Sequence, residues 1–249
     1  MSNDQLKQYY ENSARRFWDP REGMKGRDLH IYPLLAGLSG SVLEYGCGAG
    51  SLLLQLAKEE RFTHCTGVDI SDRVLSNIKR NWSDIAPERQ EKVSAIAPIR
   101  DRLPQIPDES VDVILSLDTI EHVIDPYVVI DELHRIARSN ATFIISVPNL
   151  AYIKYVVNLM FGIQPRTGTN EPVENWRRIG WDGMHIHTFT KSSLRTLLMD
   201  CGWQAESWSG YGDRFSNFGM RILRERFPGV WSGAITAVCK KTRKSVSLS

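Results

Sequence analysis

The stretch Val42-Leu-Glu44-Tyr-Gly46-Cys-Gly48-Ala-Gly50 decides the fold, because an apolar strand runs directly into a turn with glycine at every second position. Glycine lets the backbone approach a ligand closely, and the N-terminus of a following helix adds N–H donors and a positive dipole end. A dinucleotide-binding turn would place its third glycine at position 51, where this chain has Ser51. Together with Glu44, this spacing favours a cationic ligand without phosphate groups.

On either side of this turn, short apolar β-branched runs alternate with helical patterns. This alternation is typical of βαβ units and of an α/β fold with a parallel sheet. Asp125-Pro126 predicts a helix start with a capping carboxylate, and Ser71 or Asp72 is expected to cap an earlier helix. The predicted strands are residues 41–44, 63–68, 93–97, 111–117, 141–147, 203–209 and 234–240.

Between Pro148 and Thr190 the alternation stops, and a stretch rich in Gly, Pro, Trp and charged residues intervenes. A stretch this long inside a compact α/β chain is more typical of a lid or a substrate cap than of a plain loop. We therefore expect one domain, residues 38–249, with a cap insertion at about 148–190. Its apolar segment 150–163 is expected to pack on the sheet or at a homodimer interface, with contact to a membrane surface as the alternative.

The composition of the 249-residue chain, with 42% hydrophobic and 24% charged residues, excludes a disordered or fibrous protein. Its 31 basic and 29 acidic side chains leave a net charge of +2, so no broad positive field favours nucleic acid as a partner. The four cysteines lack metal-binding or disulfide spacing, and the N-terminus lacks the apolar core of a signal peptide. We expect a cytoplasmic protein without stable membrane insertion.

Four segments, in order over about residues 40 to 150, resemble the class I S-adenosylmethionine-dependent methyltransferases. The turn from Glu44 to Gly50 is similar to the first motif of that family, and Asp69 closes the second strand as the family's ribose-binding carboxylate does. These two matches imply a cofactor with an amino-acid end and a nucleoside end.

The other two matches are Leu103-Pro-Gln-Ile-Pro-Asp-Glu-Ser-Val-Asp112 and Ser116-Leu-Asp118-Thr-Ile-Glu121-His122-Val-Ile-Asp125-Pro126. The first departs from the family pattern, since Ile99 stands where an adenine-binding Asp is usual. We expect Asp101 or a backbone group to substitute for it. The second resembles the Glu-His-Val-x-Asp-Pro segment of many members that act on small molecules.

The resemblance implies a Rossmann-like, doubly wound, mostly parallel seven-stranded sheet with helices on both faces, an antiparallel last strand and a small cap insertion. It implies S-adenosylmethionine as cofactor and S-adenosylhomocysteine as product. Residues 1–37, with Tyr9, Tyr10 and Phe17, resemble a helical lid that closes over the cofactor in related enzymes. The implied cofactor-binding residues are Glu44, Gly46, Cys47, Gly48, Gly50, Asp69, Ile70, Leu117 and Asp118.

Methyl transfer to a hydroxyl needs a group that removes a proton, and histidine titrates in the suitable range. His122 follows the fourth strand at the mouth of the expected crevice, where it serves as a base or orders the loop. His185 and His187 are alternate residues, which project the same way in an extended segment. They are interpreted as base and orienting partner, as metal ligands with Glu121 or Asp182, or as structural residues. Because these ligands cannot be placed from the sequence, we predict no metal site.

We predict O-methylation of a small molecule or glycan, with a sugar hydroxyl first and a quinone or phenol-like acceptor, or N-methylation, as the alternatives. Trp176 and Trp181 are expected to form an apolar wall against the ring of the acceptor. From other classes, a non-catalytic methyltransferase-like partner subunit and a dehydrogenase stay open.

Overall fold

The computed structural model of the chain describes residues 3–13, 24, 26–212 and 218–243. Phe17, named above as part of the lid, lies outside the described residues. The elements of the fold are given below with their bounds, and short 3-10 turns connect several of them.

Seven strands form one sheet in the order β3-β2-β1-β4-β5-β7-β6. Strands β1 to β5 pair in parallel, whereas β7 runs antiparallel to both of its neighbours. This confirms the predicted mostly parallel, Rossmann-like sheet with an antiparallel last strand. The strands are β1 (Gly40–Tyr45), β2 (Phe62–Val68), β3 (Val93–Ile96), β4 (Val111–Leu117), β5 (Ala137–Pro148), β6 (Trp203–Tyr211) and β7 (Ala234–Lys241).

Helices cover both faces of the sheet, because successive side chains of a strand point to opposite sides. Leu43 belongs to one buried cluster, with the helix that follows β4, and its neighbour Val42 belongs to the other, with the helices that follow β1 and β2. The helices are α1 (Asn3–Ser13), α2 (Arg27–Ile31), α3 (Ser51–Ala57), α4 (Asp72–Ile85), α5 (Pro126–Ile136), α6 (Ile153–Met160), α7 (Trp176–Ile179), α8 (Lys191–Asp200), α9 (Phe218–Arg226) and α10 (Pro228–Trp231).

The predicted helix caps form. The Ser71 hydroxyl accepts the Val74 N–H at 3.2 Å and begins α4. The Asp125 carboxylate accepts two backbone N–H groups of the first turn of α5, where Pro126 has no N–H to satisfy. These caps fix where each helix leaves the carboxyl edge of the sheet, and therefore fix the loops that line that edge.

The insertion leaves the sheet after β5 and returns to the point where it left. Asn149 and Phe189 form an isolated bridge, and the Leu150 N–H donates to the Phe189 carbonyl at 2.8 Å. The Asn149 side chain donates to the carbonyls of Gly229 and Ser232, which anchors this point to the segment before β7. The two ends of the insertion are thus bonded to each other and anchored to the segment before β7.

The expectation that the apolar segment 150–163 packs on the sheet is wrong. None of the residues of α6 is buried, and Met160 and Phe161 are 78% and 77% exposed. The reason is that α6 lies in the insertion beyond the end of β5, where only the preceding Tyr152 is buried. A homodimer through this surface stays a prediction. Of the helices within the described residues, none combines the length and apolarity needed to cross a membrane.

Candidate active site

A cavity of about 490 Å³ opens at the carboxyl edge of the sheet, next to β1, β2 and β4. The strand order reverses between β1 and β4, and such a switch point is where doubly wound sheets bind ligands. The nine residues that the resemblance implied for the cofactor all line this one cavity. They are Glu44, Gly46, Cys47, Gly48, Gly50, Asp69, Ile70, Leu117 and Asp118.

The glycine turn forms the floor of the cavity in a conformation that side chains disfavour. Gly46, Gly48 and Gly50 have φ values of 76°, 50° and 74°. A Cβ atom on Gly46 would also collide with the side chain of Thr119. The turn therefore passes close to β4 and leaves its upper side open to a ligand.

Asp69, at the end of β2, is held in place by backbone groups. The Gly48 N–H donates to its Oδ2 at 3.1 Å, and the Ser71 N–H donates to its Oδ1 at 2.9 Å. Burial raises the pKa of the carboxyl, and these hydrogen bonds counteract that effect. Each oxygen keeps a lone pair that can accept a hydroxyl in the cavity.

Glu44 carries a buried carboxyl whose Oε2 has no hydrogen-bond partner among the described residues. The side chain is 1% exposed, and burial raises its pKa to about 8 although the charge of Arg27 opposes the shift. Arg27, on α2, lines the same cavity, where its Nη1 donates to the Leu117 carbonyl at 2.6 Å. The carboxyl and guanidinium together suit a ligand that carries both an ammonium and a carboxylate group.

Sequence reasoning missed Arg27 because it lies in a short helix ahead of the first motif and belongs to no recognisable pattern. It missed Tyr211 for a similar reason. The Tyr211 hydroxyl, at the end of β6, lies 2.6 and 2.5 Å from the carboxylate oxygens of Asp118, whose Oδ1 also accepts the Ser146 hydroxyl at 3.0 Å. Asp118 has a φ of 49°, so these contacts hold a strained turn residue at the wall of the cavity.

Asp101 lines the cavity, whereas Ile99 is not part of its described lining. The Tyr45 hydroxyl lies 3.4 Å from the Asp101 Oδ1. Ile99 is 60% exposed and only pairs with Arg102 in a local bridge. That Asp101 substitutes for the usual adenine-binding residue stays a prediction.

His122 and His185 come together at one side of the cavity, with ring centroids 4.6 Å apart. His122 lines the cavity, and its Nδ1 donates to the Met184 carbonyl at 3.0 Å. Burial, and then the neighbouring His185, lower the pKa of His122 to about 4. Burial also lowers the pKa of His185. Both rings are therefore neutral at physiological pH and offer a lone pair.

His187 does not join this pair. Its Nε2 faces the Ile124 carbonyl at 3.2 Å on the outer side of the segment. The group that orients His185 is Thr167, whose hydroxyl lies 2.9 Å from the His185 Nδ1 and donates in turn to Asp182 Oδ2 at 2.5 Å. The cap supplies this partner from a loop that sequence alone could not place.

Glu121 lies beneath the two histidines and is 1% exposed. Its Oε1 is 3.8 Å from the His185 Nε2, and neither carboxyl oxygen has a hydrogen-bond partner among the described residues. Burial raises its pKa well above the ordinary value. Glu121, His122 and His185 place their ligand atoms within 4.8 Å of one another, so in the described part of the chain this group could hold a metal ion.

The two cap tryptophans pack on each other at a ring distance of 5.1 Å. Trp176 is buried and its Nε1 donates to the Glu171 carbonyl, whereas Trp181 is 65% exposed. Neither belongs to the described lining of the cavity. Contact with an acceptor stays a prediction for both.

Helix α1 lies across the mouth of the cavity and connects its two sides. Leu6 and Tyr10 line the cavity, and the Tyr10 ring meets His122 edge-on at 5.8 Å. The Lys7 ammonium pairs with Asp72 of α4 at 2.7 Å, while the Tyr9 hydroxyl donates to the carbonyl of Ile179 in the cap, also at 2.7 Å. The helix is thus tied both to α4 and to the insertion.

The fold and this cavity define the class of protein to which the chain belongs. A family model described as "Methyltransferase domain" matches residues 14–207. The chain belongs to that family, the class I S-adenosylmethionine-dependent methyltransferases.

Two curated relatives share the name ubiquinone biosynthesis O-methyltransferase. The one from Hahella chejuensis is 31% identical over 149 residues, which cover 56% of this chain and 59% of the relative. The one from Pseudomonas aeruginosa strain UCBPP-PA14 is 29% identical over 176 residues, which cover 65% of this chain and 72% of the relative. The chain therefore matches about three-fifths of the length of the first and somewhat more of the second.

Solved structures share the fold at lower identity. Magnesium protoporphyrin IX methyltransferase from Synechocystis, solved with S-adenosylhomocysteine bound, superposes with a TM-score of 0.66 at 15% identity and covers 97% of this chain and 100% of that one. A Haloferax volcanii complex of the Trm112 activator with a putative methyltransferase gives 0.64 at 19% identity, covering 96% and 99%. These matches establish the same Rossmann-like architecture.

Proposed function

We propose that this protein transfers the methyl group of S-adenosylmethionine to a hydroxyl oxygen of a phenol- or quinol-type small molecule. The observation that carries the proposal is the single cavity in which Glu44, Arg27 and Asp69 stand around the glycine turn. The names of the curated relatives support an oxygen acceptor of this type. They favour the quinone or phenol alternative over the sugar hydroxyl that the sequence put first.

The cofactor would lie across the cavity with its amino-acid end between Glu44 and Arg27. Asp69 would accept the ribose hydroxyls, for which its two oxygens are already oriented by backbone N–H groups. Ile70 and Asp101 stand further along the wall, where the adenine would lie. The sulfonium would then lie between these two ends, and the acceptor would approach from the part of the lining that carries His122.

Methyl transfer is an in-line displacement, so the protein must align the acceptor oxygen with the methyl carbon and remove the hydroxyl proton. The side of the cavity that carries His122 is the proposed position of that oxygen. A neutral imidazole and a buried carboxyl stand together there, with α1 above them. Helix α1 is proposed as the lid that excludes water during transfer.

The experiment that tests the proposal measures S-adenosylhomocysteine release with phenols and quinols, sugars, and amines as acceptors, alongside calorimetry with S-adenosylhomocysteine. We expect cofactor binding and turnover with the phenol or quinol group. Cofactor binding without turnover on any acceptor would favour the non-catalytic partner subunit, and affinity for NADH without affinity for S-adenosylhomocysteine would favour a dehydrogenase.

A further inference from the structure

Three potential ligand groups from two distant parts of the chain converge beside the cofactor cavity. Glu121 and His122 lie in the turn after β4, and His185 lies where the insertion returns to the sheet. The backbone carbonyl of Glu121 accepts the N–H groups of Ile186 and His187 at 2.8 and 3.0 Å, which joins the two segments. The ligand atoms of the three side chains all lie within 4.8 Å of one another.

The carboxyl of Glu121 is the observation that points to cation binding. It is 1% exposed, and neither Oε1 nor Oε2 meets a hydrogen-bond donor among the described residues. A buried carboxyl without partners is costly in either protonation state, and proteins compensate such groups by pairing them or by coordinating a metal. The neighbours of Glu121 on this side are the two imidazoles.

The outer contacts of both histidines direct a lone pair inward. His122 can only donate from Nδ1 to the Met184 carbonyl, which leaves its Nε2 as the acceptor nitrogen. The Thr167 hydroxyl donates to Asp182, so it accepts from the His185 Nδ1 and leaves that Nε2 free as well. The Met184 carbonyl behind His122, and the Thr167 hydroxyl behind His185, which is itself bonded to the Asp182 carboxylate, are partners of the kind that orient metal-binding imidazoles.

We propose that Glu121, His122 and His185 bind one divalent transition-metal ion, and that the acceptor oxygen of the proposed reaction completes its coordination. Two imidazoles and one carboxylate suit first-row ions such as Zn²⁺, Co²⁺ or Mn²⁺, and three protein ligands leave positions open for substrate. A metal-to-ligand distance of about 2 Å requires only a small inward movement of the three side chains. The ligand set differs from the one suggested by sequence spacing, because His187 faces Ile124 instead.

The acceptor part of this inference rests on the proposed function. Coordination lowers the pKa of a bound hydroxyl, so the acceptor loses its proton to solvent and binds as an oxyanion. A lone pair of that oxygen then forms the new bond to the methyl carbon. The electron pair of the breaking carbon–sulfur bond returns to sulfur, which leaves neutral S-adenosylhomocysteine. The histidines act on the acceptor through the ion.

The test uses the whole protein after removal of metal with EDTA, titrated with Co²⁺ and followed by visible absorption, with Zn²⁺ as competitor. We expect about one Co²⁺ per chain, displaced by Zn²⁺. Thr167→Val, which removes the hydroxyl behind His185, should weaken Co²⁺ binding about 10- to 100-fold, and Glu121→Gln and His185→Gln should weaken it by at least as much. The matched control is His187→Gln, which should bind Co²⁺ as the wild type does.

Binding of S-adenosylhomocysteine, measured on the same samples, separates the two proposals. If the wild type binds S-adenosylhomocysteine but no Co²⁺, or if Glu121→Gln and His185→Gln keep full Co²⁺ affinity, the metal site is overturned and the methyltransferase proposal stands. Full turnover of the EDTA-treated enzyme would overturn the role of the ion in the reaction. Retained cofactor affinity in Glu121→Gln shows that this variant is folded, so its loss of Co²⁺ binding would support the site.

Discussion

Glu44 illustrates how a single buried residue can couple ligand binding to the release of a proton. The carboxyl is buried without a hydrogen bond to its Oε2, and its pKa is raised to about 8, so it is mostly protonated at neutral pH. An ammonium group placed beside it would favour the carboxylate. Binding of the cofactor's ammonium group would then lower the pKa of Glu44 and release the proton that the buried carboxyl carries in the free protein.

We therefore predict that binding of S-adenosylhomocysteine at pH 7 releases a proton from Glu44. With a pKa of about 8 in the free protein, the release should approach about 0.9 proton at pH 7 and fall to about 0.5 proton at pH 8, because the free carboxyl ionises over this range. The measurement is the binding enthalpy in buffers of different ionisation enthalpy. Glu44→Gln should abolish the buffer dependence, and an unchanged dependence in that variant would assign the proton to another group.

Arg27 is expected to bind the carboxylate of the cofactor. Arg27→Met removes the guanidinium proposed to meet the carboxylate of the cofactor, and a hydrogen bond between charged groups contributes about 1.5 to 3 kcal/mol. The affinity for S-adenosylhomocysteine measured by calorimetry should fall about 10- to 100-fold. Arg80→Met, on the exposed surface of α4, is the control and should bind normally. Equal affinities for both variants would place the amino-acid end elsewhere.

At the scale of elements, α5 holds the loop before β4 through one buried carboxylate. Glu132 accepts the Leu103 N–H at 2.7 Å and pairs with Arg135 at 2.7 Å and Arg102 at 3.3 Å. Burial opposes its charge, but the hydrogen bonds from Arg135 and Leu103 outweigh that effect, and the pKa of Glu132 is lowered. The loop that it fixes carries Asp101 into the cavity.

Glu132→Gln should destabilise the protein by about 1 to 3 kcal/mol at pH 7, because it weakens two ion pairs and leaves buried donors poorly satisfied. A lowered pKa in the folded state means that this contribution is complete above the unfolded value of about 4.5 and is lost as the pH falls below it. Urea unfolding should show the two proteins converging between about pH 5 and pH 3. Glu88 is exposed, so Glu88→Gln should have the same free energy of unfolding as the wild type at every pH. If the difference in free energy of unfolding between Glu132→Gln and the wild type does not change with pH, the prediction is contradicted.

Most elements were predictable because their signals are local. The β-branched run 111–117 became β4 with the same bounds, and the caps at Ser71 and Asp125 formed as expected. That the nine residues implied for the cofactor share one cavity was predictable for the same reason, since they lie at the ends of β1, β2 and β4, which are neighbours in the sheet and end at one edge. Three features could not be predicted, because each depends on segments that meet only in the folded chain. They are the exposure of α6, the approach of Arg27 to the cavity and the contact of Tyr211 with Asp118.

Helix α1 connects two distant parts of the molecule, α4 and the insertion, across the cavity. The connection to the insertion is the hydrogen bond from the Tyr9 hydroxyl to the Ile179 carbonyl, and the connection to α4 is the pair of Lys7 with Asp72. A ligand in the cavity lies beneath this helix. The rate at which the ligand dissociates should therefore depend on the contacts that hold α1 in place, although these contacts do not touch the ligand.

Tyr9→Phe should weaken S-adenosylhomocysteine binding about 2- to 10-fold, mainly through faster dissociation, because one neutral hydrogen bond contributes about 0.5 to 1.5 kcal/mol. Stopped-flow displacement measures the dissociation rate directly. Tyr127→Phe loses a comparable hydroxyl bond to Asp200 on the exposed surface and should leave the rate unchanged. A lid role for α1 would be excluded by identical dissociation rates in all three proteins.

The bridge between Asn149 and Phe189 has an evolutionary consequence. Because the insertion departs and returns at paired residues, its length and content can change without altering the spacing of β5 and α8. During evolution, the roughly forty residues between β5 and α8 can thus be replaced as one unit, while the strands and loops that line the cofactor cavity stay unchanged. Such an exchange would also carry away His185, so a descendant with a new insertion would have to supply its own partner for Glu121 or abandon that chemistry altogether.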